Sequence, residues 1–329
     1  MTEEKQLSEK AVTQREFYYS KPFISLEIVK CAKNREMCFL GSAYNKLDNV
    51  RYINCALLDI FFKYLGIPTR EEKEKKSKIA DPYHFLSNKK NYNVYLSMAT
   101  LDWTKSKVKS FSFAPKERKK QQEEFRENLD KILVDIYGGF DLDGDQDFVW
   151  KGKDRKKVTL DITQEEAVKR ALKDAKEIIE FLNEYKIEWH INFSGNRGFH
   201  LIYKVPLEIP FLQKLDLINL IMDRVAKTLN LKTLDPARFN PRKVLKAPYS
   251  LVTNGEISRV VLPLNDKQIE NFKLEETEAK WVYQNVEIKG RGLLWKNEKV
   301  NKDEKLSNFN RMMQDFEIKL PEKREWEIN

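Results

Sequence analysis

Residues 138–148 read GGFDLDGDQDF. Aspartates fall at every second position, Asp141, Asp143, Asp145 and Asp147, and Phe140 and Leu142 alternate with the first two. That is the period of a β-strand, which sends Asp141 and Asp143 to one face and Phe140 and Leu142 to the other. Carboxylates this close repel one another unless something positive sits among them. A calcium loop beginning at Asp141 would need glycine at its sixth position and a bidentate glutamate at its twelfth, where the chain has Gln146 and Gly152. A solvated acidic turn accounts for Asp145 and Asp147, but less well for Asp141 and Asp143, which follow an apolar strand. Two carboxylates on one strand face, joined by a third from elsewhere, suit a pair of divalent cations roughly 3.5–4 Å apart. Oxygen ligands of this kind suit magnesium. An isolated D-x-D pair is common by chance, so the rest of the chain decides its meaning.

Downstream, IEWHINF (187–193) alternates strictly, with Ile187, Trp189, Ile191 and Phe193 on one side and Glu188, His190 and Asn192 on the other. The turn SGNRG and a second strand, FHLIYKV, complete a predicted β-hairpin. Small residues at its tip, Ser194, Gly195 and Gly198, allow a phosphate to approach backbone amides. Arg197 adds a fork of donors matched to phosphate oxygens, and His200 adds another. An ordinary polar hairpin tip is the plainer reading. In the third segment, 233–264, Asp235 precedes a proline, and Arg238, Arg242, Lys243 and Lys246 crowd into the stretch before a further hairpin turning at Asn254-Gly255. Such a cluster is either solvated surface or the lining of a polyphosphate channel.

Elsewhere the patterns predict helix over 11–32 with a break near Pro22, a strand at 35–41, helix over 48–65, a solvated charged run at 70–78, a strand at 93–102 and a charged helix over 116–133. Thr163 with Glu166 forms a capping box. Behind it Val168, Ala171, Leu172, Ala175, Ile178, Ile179 and Leu182 mark a helical core face. Another helix spans 211–229. Hairpins mixed with helices predict an α+β protein rather than a doubly wound parallel sheet.

The 329 residues are 41% hydrophobic and 12% aromatic, which suits a globular chain with a real core. No apolar run reaches the ~20 residues that span a bilayer, and the N-terminus lacks the apolar region of a signal peptide. The expectation is a cytoplasmic protein with no membrane partner. Cys31, Cys38 and Cys55 match no zinc or disulfide spacing and read as reduced, buried thiols. Sixty Lys and Arg against 51 Asp and Glu give a net charge of +9. That favours a polyanionic partner, although a Lys/Glu/Ile-rich thermophile surface fits the composition too.

In fixed order, FDLDGD, SGNRGFH and LD followed by KAPYSLVTNG resemble the catalytic small subunit of the archaeo-eukaryotic primase superfamily, of archaeal or archaeal-plasmid type. VYLSMA (94–99) and NREMCFL (34–40) look like that family's upstream elements. The resemblance implies an α+β catalytic core over 1–265, with mixed and antiparallel sheets, an RRM-like half and flanking helices. It gives a metal site at 138–148, a phosphate hairpin at 187–205 and a closing segment at 233–264. Asp141, Asp143 and Asp235 would be the catalytic metal ligands, for two Mg²⁺ or Mn²⁺ ions. Ser194, Gly195, Arg197, Gly198, His200 and Lys246 would bind the triphosphate, with Arg238, Arg242 and Lys243 as further phosphate or nucleic-acid contacts. Asn196 and Val252 depart from the family pattern, where a second basic residue and a histidine are usual. Residues 148–193 hold no cysteine and only His190, so no zinc is expected. The implied activity is primer synthesis from NTPs or dNTPs on single-stranded DNA. The charged segment 266–329 would connect to a primase large subunit. A catalytically silent, nucleic-acid-binding relative is the alternative.

Overall fold

The computed structural model describes residues 8–19, 21–32, 34–41, 51–54, 92–108, 115–151 and 154–323. The chain opens with α1 (Glu9–Tyr19), α2 (Pro22–Cys31), β1 (Arg35–Gly41), β2 (Arg51–Asn54) and β3 (Tyr92–Leu101). It continues with α3 (Pro115–Glu127), α4 (Leu129–Ile132), β4 (Leu133–Ile136), β5 (Gly138–Asp143), β6 (Gln146–Lys151) and β7 (Asp154–Thr159). Then come α5 (Gln164–Glu184), β8 (Trp189–Phe193), β9 (Gly198–Tyr203), α6 (Phe211–Thr228), β10 (Val244–Lys246), β11 (Leu251–Asn254) and β12 (Ile257–Val260). Last are α7 (Asp266–Glu270), a 3-10 turn (Leu274–Thr277), α8 (Ala279–Asn285) and α9 (Lys302–Asp315). The α+β expectation holds: the described sheets are antiparallel and mixed with helices.

Two compact units share the chain. The first gathers Met1–Val134, Val244–Val261 and Glu275–Gly292, and the second Asp135–Lys243, Leu262–Leu274 and Leu293–Asn329. In the first, strands run in the order β10-β3-β1-β2, with β4 also on β3. Met37, Val94, Leu96 and Met98 are buried there. Pro22 opens α2, where its missing N–H costs nothing, which accounts for the break between α1 and α2. The helix expected from residue 48 is corrected at its start: Arg51–Asn54 is a strand on β1, and Tyr52 and Ile53 are residues that suit a pleated edge. Residues 55–65, the run at 70–78 and Cys55 lie outside the described residues. Cys31 is a buried free thiol, and burial pushes its pKa up to about 12.

The second unit is built on the three-stranded sheet β5-β9-β8. Its apolar face carries Phe140, Leu142, Ile191, Phe193, Phe199 and Leu201, all essentially inaccessible. Burying each such side chain contributes roughly 1.5–3 kcal/mol. α5 packs against β5 and β9, and α6 against β5. The capping box of α5 is present: Thr163 Oγ1 accepts from the Glu166 amide while Glu166 Oε2 accepts from Thr163 N–H. The hairpin β6–β7 was not expected from the sequence, which reads there as an acidic and basic run. The polar side of β8 is also covered. His190 packs edge-on against Trp295 at 4.4 Å, and Glu188 is buried between Lys204 and Lys305.

Candidate functional site

β5 delivers the opening pair as its alternation requires. Asp141 is in register with His200 of β9, and Asp143 with Gly198. His200 is in turn in register with Asn192 of β8. Residues paired in this way share a face, so Asp141, His200 and Asn192 form one row across the sheet. The opposite face carries Leu142, Phe199 and Phe193 in the next row.

Asp235 reaches β5 from the other edge. The Asp143 amide donates to Thr233 O at 2.7 Å and the Asp235 amide to Asp141 O at 2.8 Å, about an antiparallel bridge between Leu142 and Leu234. Asp235 therefore lies beside Asp141, although the two are far apart in the chain. The segment is held in place by a buried carboxylate. Asp174 Oδ2, on α5, accepts from Lys232 N at 2.8 Å, Thr233 N at 2.7 Å and Thr233 Oγ1 at 2.8 Å. Beyond Asp235 a second clamp follows. Asn219 of α6 accepts from Phe239 N at 2.7 Å and donates to Phe239 O at 3.0 Å.

The hairpin tip is equally constrained. The Ser194 amide donates to Gly198 O at 2.9 Å, and Gly195 takes a left-handed φ of 82° that favours glycine. The Gly144 amide donates to Arg197 O at 3.1 Å, and Gln164 Nε2 donates to Asn196 O at 2.8 Å. A Cβ at Gly198 would run into the carbonyl oxygen of Leu142. Glycine there is what lets β9 lie against the acidic strand.

The side chains divide the expected set. Asp141 Oδ1 stands 3.4 Å from His200 Nε2, and Oδ2 stands 3.6 Å from Lys243 Nζ, whose ammonium also lies over the Phe239 ring. Asp235 Oδ1 accepts from Ala237 N at 2.9 Å, closing its own turn. Arg197 forms an ion pair with Asp145, which is buried, and Asp147, expected to be solvated, pairs with Arg170. Arg238 is exposed and pairs with Asp223 at 3.1 Å. Arg242 donates its backbone N–H to Asn240 Oδ1 at 2.9 Å. Lys246 belongs to the first unit, on β10 opposite Tyr95, and Val252 lies there on β11 opposite Arg259.

Three carboxylates on neighbouring positions are a hard-oxygen donor set of the kind magnesium or manganese takes. As they stand, Asp141 faces His200 and Lys243, and Asp235 accepts from its own turn. Among the described residues, no three His, Cys, Asp or Glu side chains come together closely enough to hold a metal ion. Sequence reading missed Asp174, Asn219 and Gln164. Asp174 alone left a signal, as an acidic residue set among the apolar positions of α5.

No protein-family model matches the chain, and no curated protein matches it. In structure it is similar to the polymerase domain of Mycobacterium tuberculosis Ligase D, solved in complex with DNA. The two are 11% identical, with 87% of this chain and 94% of that chain covered, at a TM-score of 0.45. Among the described residues, no helix is long and apolar enough to cross a membrane.

Proposed function

We propose that this protein is a template-dependent nucleotidyltransferase that synthesises RNA or DNA primers on single-stranded DNA. One observation carries the reading: Asp235 lies beside Asp141, with Asp143 on the same strand and the His200 hairpin in register against both. Three carboxylates from two distant segments, beside a basic hairpin, suit triphosphate chemistry better than they suit a packed core. Asp141, Asp143 and Asp235 would hold two magnesium or manganese ions, which when bound activate a 3′-hydroxyl and offset phosphate charge. The 3′-hydroxyl gives up its proton to solvent, its oxygen bonds to the α-phosphorus, and the bond from that phosphorus to pyrophosphate breaks. Arg197 and His200 present N–H donors to the triphosphate oxygens, and Ser194 and Gly195 keep the hairpin tip narrow enough for a phosphate to approach. Arg197 must leave Asp145 to do so. Asp145 is buried and would lose its partner, so the charge of the bound triphosphate must offset that cost. The reading also implies NTPs or dNTPs as substrates, a cytoplasmic setting and a large-subunit-like partner.

A second reading, a nucleic-acid-binding protein without catalysis, is favoured by the Lys243 ammonium, which stands beside Asp141 where a cation would bind. A single assay separates the two. Supplied with single-stranded DNA, labelled NTPs and dNTPs, and Mg²⁺ or Mn²⁺, the wild type is expected to make oligonucleotides without a primer. Asp141→Asn and Asp143→Asn are expected to abolish the product. Template binding without any synthesis by the wild type would favour the second reading, and full activity in both variants would remove the aspartates from the site.

A further inference from the structure

The row that crosses the sheet does not end at His200. Asn192, in register with it on β8, is 0% exposed, and among the described residues neither Oδ1 nor Nδ2 of its carboxamide has a hydrogen-bond partner. Its far neighbour is Pro263, paired with Asn192 in an isolated bridge, and proline has no N–H to offer. A buried amide left in that state is destabilising, and an apolar residue of the same shape would fit this strand without the cost.

We infer that Asn192 is the positioning residue for His200. The inference rests on the proposed nucleotidyltransferase reading and deepens it. His200 stands between a carboxylate on one side, Asp141, and a carboxamide on the other, Asn192. Directly opposed residues have Cβ atoms about 5 Å apart, within reach for an imidazole and a carboxamide. When the imidazole turns from Asp141 toward a triphosphate oxygen, its second nitrogen needs a partner. A carboxamide both accepts and donates, so Asn192 can serve whichever nitrogen faces it. The unmet hydrogen-bonding capacity of the resting protein is then used when nucleotide is bound. Asn192 itself, being inaccessible, touches no substrate.

The test measures two quantities, stability and nucleotide affinity, in wild type, Asn192→Leu, Asn192→Thr, His200→Ala and the Asn192→Leu/His200→Ala double variant. Affinity is read by equilibrium dialysis of ATP with MnCl₂, independently of synthesis. Asn192→Leu is expected to melt no lower than wild type and to bind ATP about tenfold more weakly, the size of one hydrogen bond to a charged group. Asn192→Thr, which keeps a hydroxyl, is expected to recover part of that loss and covers the case in which the leucine variant does not fold. In the His200→Ala background the leucine substitution is expected to have no further effect, because coupled residues do not add. A lower melting temperature with unchanged affinity, or additive losses in the double variant, would overturn the inference while leaving the proposed function standing. Failure of the wild type to bind ATP at all would overturn both.

Discussion

At the residue scale, the site depends on groups that never meet a substrate. Asp174 is one. It is buried and spends one carboxylate oxygen on three donors of the Lys232–Thr233 backbone and the Thr233 hydroxyl. Those bonds set where the strand-like segment lies against β5, and with it Asp235. Asp174→Ala should leave the Thr233 amide buried without a partner, a loss of about 2–3 kcal/mol. Urea unfolding monitored by circular dichroism would show it, and unchanged stability would mean the segment is held by β5 alone. The sequence marked Asp141 and Asp143 because their period is local. It gave Asp145 at most a supporting role and left Asp147 to solvent; the structure makes Asp145 the buried partner of Arg197 and Asp147 a half-exposed partner of Arg170.

At the element scale, α5 and the β8–β9 hairpin were read correctly because their signals are short in range. A capping box, a helical apolar face and a glycine turn each need only a few consecutive residues. Thr163→Ala should lower stability by about 1 kcal/mol, the usual loss for an N-cap hydroxyl. The cap also carries a pH dependence. Thr163 N–H, and then its hydroxyl, hold the Glu166 carboxyl below its ordinary value of 4.5. A depressed carboxyl stabilises the fold above its unfolded value, and that contribution is lost as pH falls through the lower folded one. The difference between wild type and Thr163→Ala should therefore be present at pH 7 and shrink toward pH 3 in matched urea titrations. A difference that grows with acid would contradict the capping box. The β6–β7 hairpin escaped notice because its residues Asp154–Thr159 are mostly charged, and charge runs resemble solvated loops until a partner strand is seen.

At the scale of the whole molecule, the chain crosses between its two units several times. The sequence suggested a core ending at 265 followed by a charged appendage. Residues beyond 265 are shared between both units. In the second unit, Phe272 packs at 5.3 Å from Phe193 and 5.2 Å from Phe199. Phe309 and Met312 of α9 are fully buried, and Phe316 meets Phe181 of α5 at 5.0 Å. A fragment ending at residue 265 should therefore lose much of its melting cooperativity and expose the apolar ends of β8 and α5. Calorimetry of that fragment beside the full chain tests this. An unchanged transition would show that the later segment is an appendage after all.

By itself the sequence determined what repeats within a few residues: the alternation that puts Asp141 and Asp143 on one face, the capped helix, the glycine tip of the hairpin and the two-residue spacing of Asn192 from the tip. Only the tertiary structure decided which strands became neighbours. It brought Asp235 beside Asp141, set His200 between Asp141 and Asn192, gave Arg197 to Asp145 and buried Asn192 with no partner among the described residues. The reason is physical. Side-chain direction along a strand follows from its own backbone, whereas register across a sheet follows from how distant segments pack, and no single stretch of the chain encodes that.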